Sequence, residues 1–117
     1  MFIEGKFIKL NEYTKGNRSN KYGGAKMKKQ MGNLIYWQIV NKPKFETPCK
    51  IKFVWHIKKS KNGQYHDPDN ISFSKKYILD SMQDANIIPD DTFKHIKGFI
   101  DEFVISDKEG VEVTVVE

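Results

Sequence analysis

The sequence predicts a small α+β domain: a mostly antiparallel sheet with two helices, closed by a C-terminal β-hairpin. Three observations predict it. Apolar residues recur with strand period, then helical period, then strand period again. Clusters of Gly, Pro and Asn separate these segments. A length of 117 residues suits a single modest core, so one domain, 1–117, is expected.

Phe2 to Leu10 reads as a strand with a weak point at Gly5. Asn11 to Gly24 begins as a polar, glycine-bearing loop, where Lys15, Arg18 and Lys21 are placed to meet a ligand. From Ala25 to Val40, Met27, Met31, Leu34, Ile35 and Gln38 share one helical face. The methionines there are expected to pack the core, and Lys26, Lys28 and Lys29 lie mostly off that face. Pro43 and Pro48 punctuate the next connection. Cys49 to Lys59 alternates: Ile51, Phe53, Trp55 and Ile57 point one way, and Lys50, Lys52, His56 and Lys58 the other. That is a half-buried strand with a basic outer face.

Lys59 to Tyr65 is expected to turn. A second helix then starts near Asp69 or Asn70, both good N-caps. Ser74, Tyr77, Ile78, Ser81, Met82 and Ala85 form its inner face, with Lys76, Asp80 and Asp84 beside it. Asn86 is suited to end it in the left-handed conformation. Phe93 to Val104 and Val111 to Val116 read as strands, and Ser106 to Gly110 would join them as the hairpin.

Charge is divided unevenly. Residues 1–66 hold 15 Lys/Arg and 3 Asp/Glu, whereas residues 67–117 hold 5 and 12. A basic surface for a polyanion beside an acidic metal site would explain the split. Arg18 is the only arginine among 20 basic residues. Lysines bind phosphate as point charges, so recognition of backbone and shape is expected over reading of base edges. No apolar run is long enough to cross a membrane, and Met1 to Lys6 lacks the pattern of a secretory signal. The lone Cys49 has no internal disulfide partner and fits a reducing cytoplasm, as core filler.

The acidic half opens with His66-Asp67-Pro68-Asp69-Asn70 and is answered by Asp90-Asp91. Asp67 and Asp69, two apart in extended chain, point to one side. Carboxylates drawn together repel unless a cation lies between them, and a hard ion such as Mg²⁺ prefers oxygen ligands. Such an ion polarises a phosphoryl oxygen and activates water. Lys76 could then stabilise a charged transition state, or it could merely pair with Asp80 one helical turn away. Other motifs fail on spacing. An EF-hand loop from Asp67 would need Gly and an acid where Ser72 and Ile78 stand. His56, His66 and His95 form no zinc pattern, and no glycine-rich phosphate loop marks an organic cofactor.

Asp67-Pro68-Asp69-Asn70, followed by Lys76, Asp80 and Asp90-Asp91, resembles the RusA-like Holliday junction resolvases, small endonucleases common in phages and prophages. The resemblance is strongest from Asp67 to Asp91 and extends loosely over the chain. It implies a homodimer that binds four-way DNA junctions by shape and nicks two strands symmetrically with Mg²⁺. By position, the metal-binding carboxylates fall on Asp67, Asp69 and Asp91, with Asp90 as the neighbouring acid that would tune or supplement the metal site. The family's catalytic lysine usually follows the Asn by about three residues, where this chain has Phe73. Allowing a three-residue insertion selects Lys76, with Lys75 as the alternative.

Lys15, Arg18, Lys21, Lys26, Lys28 and Lys29 are the expected phosphate contacts. Lys50, Lys52 and Lys58 form a second set. Two rival readings remain open: a metal-dependent nuclease for flaps or other branched DNA, and a non-catalytic nucleic-acid-binding or assembly protein whose Asp67–Asn70 segment only caps a helix.

Overall fold

The strongest alternation in the sequence becomes the strand about which the sheet is arranged. The structure, a computed structural model, describes residues 1–5, 23–58 and 74–116, and for 23–28 the backbone only. Its elements are β1 (Phe2–Glu4), α1 (Gly23–Ile39), β2 (Cys49–Ile57), α2 (Lys75–Asp84), β3 (Ile96–Ile105) and β4 (Gly110–Val116). The sheet runs β1-β4-β2-β3. The β1–β4 and β4–β2 pairings are antiparallel, and β2–β3 is parallel. Two helices on a mostly antiparallel sheet make this an α+β fold, as expected.

Ile51, Phe53 and Trp55 are fully buried, and they join Ile35 and Ile39 of α1 and Ile78 and Met82 of α2 in one core cluster. Both helices therefore cover the same face of β2. The opposite face presents Lys50, Lys52 and His56, and Lys58 follows as an exposed residue. Cys49 is buried as core filler, and burial pushes its thiol pKa up, away from the nucleophilic thiolate. Among the described residues, no helix is long and apolar enough to cross a membrane.

The expected hairpin does not form. β3 and β4 are consecutive, but each pairs with β2, which lies between them. Residues 106–109 step across the end of β2, where the Ser106 amide donates to the Ile57 carbonyl at 3.0 Å. Four residues can span two strand spacings of ~4.8 Å each, so local sequence fits either connection. The most apolar strand takes an inner place in the sheet, where both of its edges are paired. β2, α2 and β3 thereby form a β-α-β unit.

Element ends differ in detail. Ser74 occupies the N-cap position of α2, displacing the start expected at Asp69 or Asn70. The inner face of α2 is as read: Tyr77, Ile78, Ser81 and Met82 are buried. Its end is also as read, with Asn86 at φ 58°. The Asn86 amide donates to Gln83 and the Ile87 amide to Met82, at 3.0 and 2.8 Å, the bond pair of a Schellman cap. β3 begins at Ile96, because Phe93 to His95 belong to a turn. On α1, Met31 and Ile35 are buried, but Leu34 is 43% exposed. The expected strand beyond Gly5, the 59–65 turn and the Met27 side chain lie outside the described residues.

The free edge of β1 is closed by a side chain. The Glu4 amide donates to Gln38 Oε1 at 2.8 Å, and Gln38 Nε2 donates to the Glu4 carbonyl at 2.7 Å. A helix amide thus stands where a further strand would pair, protecting an exposed edge. On its other side β1 approaches Gly110 so closely that an added Cβ would meet the Ile3 carbonyl oxygen and come within 2.9 Å of Phe2 Cζ.

Gly110→Ala should therefore destabilise the protein by about 1–3 kcal/mol, the usual range for forced overpacking. Gly32→Ala, on α1 with nothing within 4 Å of its Cβ, should stabilise it by roughly 0.5–1 kcal/mol through helix propensity. Urea unfolding of the two variants checks both signs.

Candidate functional site

Consecutive lysines open α2, and the helical step of ~100° between them sends them to different partners. Lys75 turns toward the sheet. Its Nζ lies 2.6 Å from Asp101 Oδ2 on β3, 5.3 Å from the Phe53 ring centroid and 4.7 Å from that of Phe99. Trp55 Nε1 donates to the other Asp101 oxygen at 2.9 Å. Asp101 stands opposite Phe53 in the parallel register, so it shares the helix-covered face. The carboxylate ties α2 to β2 and β3 at once.

Lys76 turns the other way. Its Nζ donates to Asp91 Oδ2 at 3.0 Å and lies 3.1 Å from Asp80 Oδ1. The Asp80 contact is the surface pair read from the sequence; the Asp91 contact joins residues 15 apart. Hydrogen bonds from Lys76 to Asp91 and then Asp80 raise its pKa above the usual lysine range. It is therefore a cation at neutral pH and acts as a hydrogen-bond donor or charge, not as a general base. The side chain is 64% exposed, so the pairing adds little stability.

Asp90 and Asp91 diverge. Asp90 Oδ1 accepts from the Thr92 amide at 3.0 Å and from the Thr92 hydroxyl at 2.7 Å. Those two bonds hold its pKa below the usual carboxylate range. Its other oxygen lies 3.8 Å from His95 Nε2. Asp90 thus shapes the turn and Asp91 faces Lys76. Cross-links fix the whole segment: the Phe45 amide donates to Ile87, and the Cys49 amide donates to His95, both at 2.9 Å. Thr47 Oγ1 lies 3.1 Å from His95 Nδ1.

Asp67 and Asp69 lie outside the described residues, as do Lys15, Arg18 and Lys21. Among the described residues no three His, Cys, Asp or Glu side chains converge on a metal position. Lys26 and Lys28 are on α1 by their backbone, and Lys29 is exposed there. Lys29, Asp80 and Asp84 line a groove of about 550 Å³ between the helices, so α1 and the Lys76 neighbourhood share one side of the molecule. Lys50 and Lys52 occupy the opposite sheet face, where Lys52 pairs with Glu102 at 3.3 Å. Among the described residues, Lys29 is therefore on a different face from Lys50 and Lys52.

Sequence reading missed Asp101 and its link to Trp55 and Lys75. The available signal was an acid at the alternate position between Phe99 and Phe103 in the strand Phe99-Ile100-Asp101-Glu102-Phe103. No family model matches the chain, and neither a curated protein nor a solved structure matches it.

Asp101→Ala should cost about 1–3 kcal/mol, because it strips a partly buried ammonium and an indole of their common acceptor. Lys76→Ala should cost no more than ~0.5 kcal/mol. Thermal unfolding of the two variants tests this contrast. For Asp90 the sign follows from its lowered pKa: the Thr92 turn is fully stabilised above the usual Asp range and weakens as pH falls through the lowered value. Asp90→Ala should flatten the acid limb of a Tm-against-pH profile in metal-free buffer.

Proposed function

We propose that the protein is a Mg²⁺-dependent, structure-selective DNA endonuclease that resolves four-way junctions by paired symmetric nicks. The pairing of Lys76 with Asp91 at 3.0 Å is the observation that carries this reading. It joins the helix lysine and the downstream acid that the resemblance to RusA-like resolvases singles out, whereas Lys75 is committed to Asp101.

Asp91 fits a hard cation as an oxygen donor on an anchored segment. Mg²⁺ commonly takes one or two protein carboxylates and keeps its waters. Asp91, Asp67 and Asp69 are the residues that would hold it, with Asp90 shaping the adjacent turn. When bound, the ion would polarise the phosphoryl oxygen and lower the pKa of the attacking water. The Lys76 ammonium, held between Asp80 and Asp91, would donate to phosphate oxygens as charge builds on them. Removing one such preorganised donor costs about 10²–10³-fold in rate.

The basic side of α1 would carry the backbone, through Lys26, Lys28 and Lys29, with Lys15, Arg18 and Lys21 preceding it. Such contacts make binding strongly salt-dependent. Two symmetric nicks require two sites, which a C2 homodimer supplies. A lone buried cysteine fits a reducing cytoplasm, and the resemblance suggests a bacterial host or prophage as the setting.

With Mg²⁺, the wild type should cut a synthetic four-way junction in preference to a matched flap and a linear duplex. Asp69→Asn and Lys76→Ala should each lose at least ~10²-fold in cleavage while still shifting the junction in a gel. Equal cutting of linear duplex would refute junction selectivity. Preference for the flap would move the substrate to other branched DNA. Binding without cleavage under any divalent metal would leave a non-catalytic nucleic-acid-binding protein.

A further inference from the structure

The geometry points to a second element of substrate recognition: the cleft beside Asp91 receives one unstacked nucleobase of the bound strand. This rests on the proposed action on DNA and adds a base site to it. The cleft has a volume of about 420 Å³ and is lined by Asp91, Thr92, Phe93, Ile96, Gly98 and Phe99. That volume lies within the ~300–1,000 Å³ typical of ligand pockets. Ile96, 3% exposed, contributes a buried apolar wall.

Two aromatic rings line the cleft in different ways. Phe93 is 86% exposed. It sits on a short turn closed by the amides of His95 and Ile96, which donate to the Thr92 carbonyl at 3.0 and 2.8 Å. Phe99 is 42% exposed and is held on β3 by the Lys75 ammonium at 4.7 Å and by Phe53, with ring centroids 5.9 Å apart. Large apolar rings on supported backbone, open to solvent, are what base stacking requires.

Charge selects a base over an apolar protein side chain as the occupant. Lys76 meets Asp91 at one end of the cleft. Lys94, exposed, directly follows the lining residue Phe93, whereas Lys97 lines a separate pocket with Cys49 and Lys50. A nucleotide carries a flat apolar base beside charged phosphate, and the cleft offers aromatic walls with Lys76 and Lys94 nearby. Every base has a π-face, so this contact would show little sequence preference. Unstacking is cheapest for a base already unpaired. A base near a branch point therefore enters more readily than one in linear duplex, which gives structure selectivity a physical origin.

The test measures affinity for a four-way junction in EDTA, with 2-aminopurine at the branch point reporting unstacking. Wild type, Phe93→Ala, Phe93→Leu and Phe93→Tyr are compared, with circular dichroism as a folding control. Binding of the wild type should raise 2-aminopurine fluorescence. Phe93→Ala should weaken junction affinity about 5- to 150-fold, the range for loss of one stacked base, and abolish the fluorescence change. Tyr should restore both and Leu should not. Unchanged affinity and fluorescence in Phe93→Ala would overturn the base site alone and leave the cleft to a protein side chain. Rescue by Leu equal to that by Tyr would also overturn it. Failure of the wild type to bind any DNA would overturn the base site and the nuclease reading together.

Discussion

The Lys75–Asp101 ion pair is the contact on which the candidate site depends. It fixes the rotation of α2 about its axis, because Asp101 is itself held by Trp55 in the wall of the core. With Lys75 turned to the sheet, the next residue along the helix faces away from it, toward Asp80 and Asp91. A pair this sheltered gains stability only if the carboxylate's remaining valence is satisfied. The indole N–H donates to its second oxygen. The Phe53 and Phe99 rings add cation–π attraction to the ammonium, and such contacts are strongest where water is excluded.

The sheet order explains how Asp91 reaches α2. β2 and β3 are parallel neighbours, so the chain must cross over between them and return to the same end of the sheet. α2 is on that crossover, and the segment from Asn86 to His95 carries the chain back to the start of β3. Hydrogen bonds from Phe45 and Cys49 pin this return. An acid placed there approaches the first turn of α2 without any long-range accident. The same return carries the turn that displays Phe93.

Much of this was legible in the sequence, and most of the exceptions share a cause. Ile51, Phe53 and Trp55 announced their strand face through alternation, and α2 announced its inner face through spacing from Ser74 to Ala85. Asn86 could be read as a cap because few residue types tolerate positive φ. These are local signals. The missing hairpin, Asp101 and the choice between Lys75 and Lys76 depend on strand order, which places residues far apart in the chain opposite one another. The divergence of Asp90 from Asp91 was hidden for another reason: it turns on two hydrogen bonds from Thr92, and many residue pairs support such a turn. Leu34 was misplaced because helical spacing locates a face but not how much of it the neighbouring strand covers.

The proposed activity requires that Asp91 belong to a divalent-metal site with Asp67 and Asp69. Electron paramagnetic resonance of Mn²⁺, a spectroscopic substitute for Mg²⁺, measures this directly on the full chain without DNA. The wild type should take up Mn²⁺, and Asp91→Asn and Asp69→Asn should each lose that binding. Equal Mn²⁺ binding by all three proteins would contradict it.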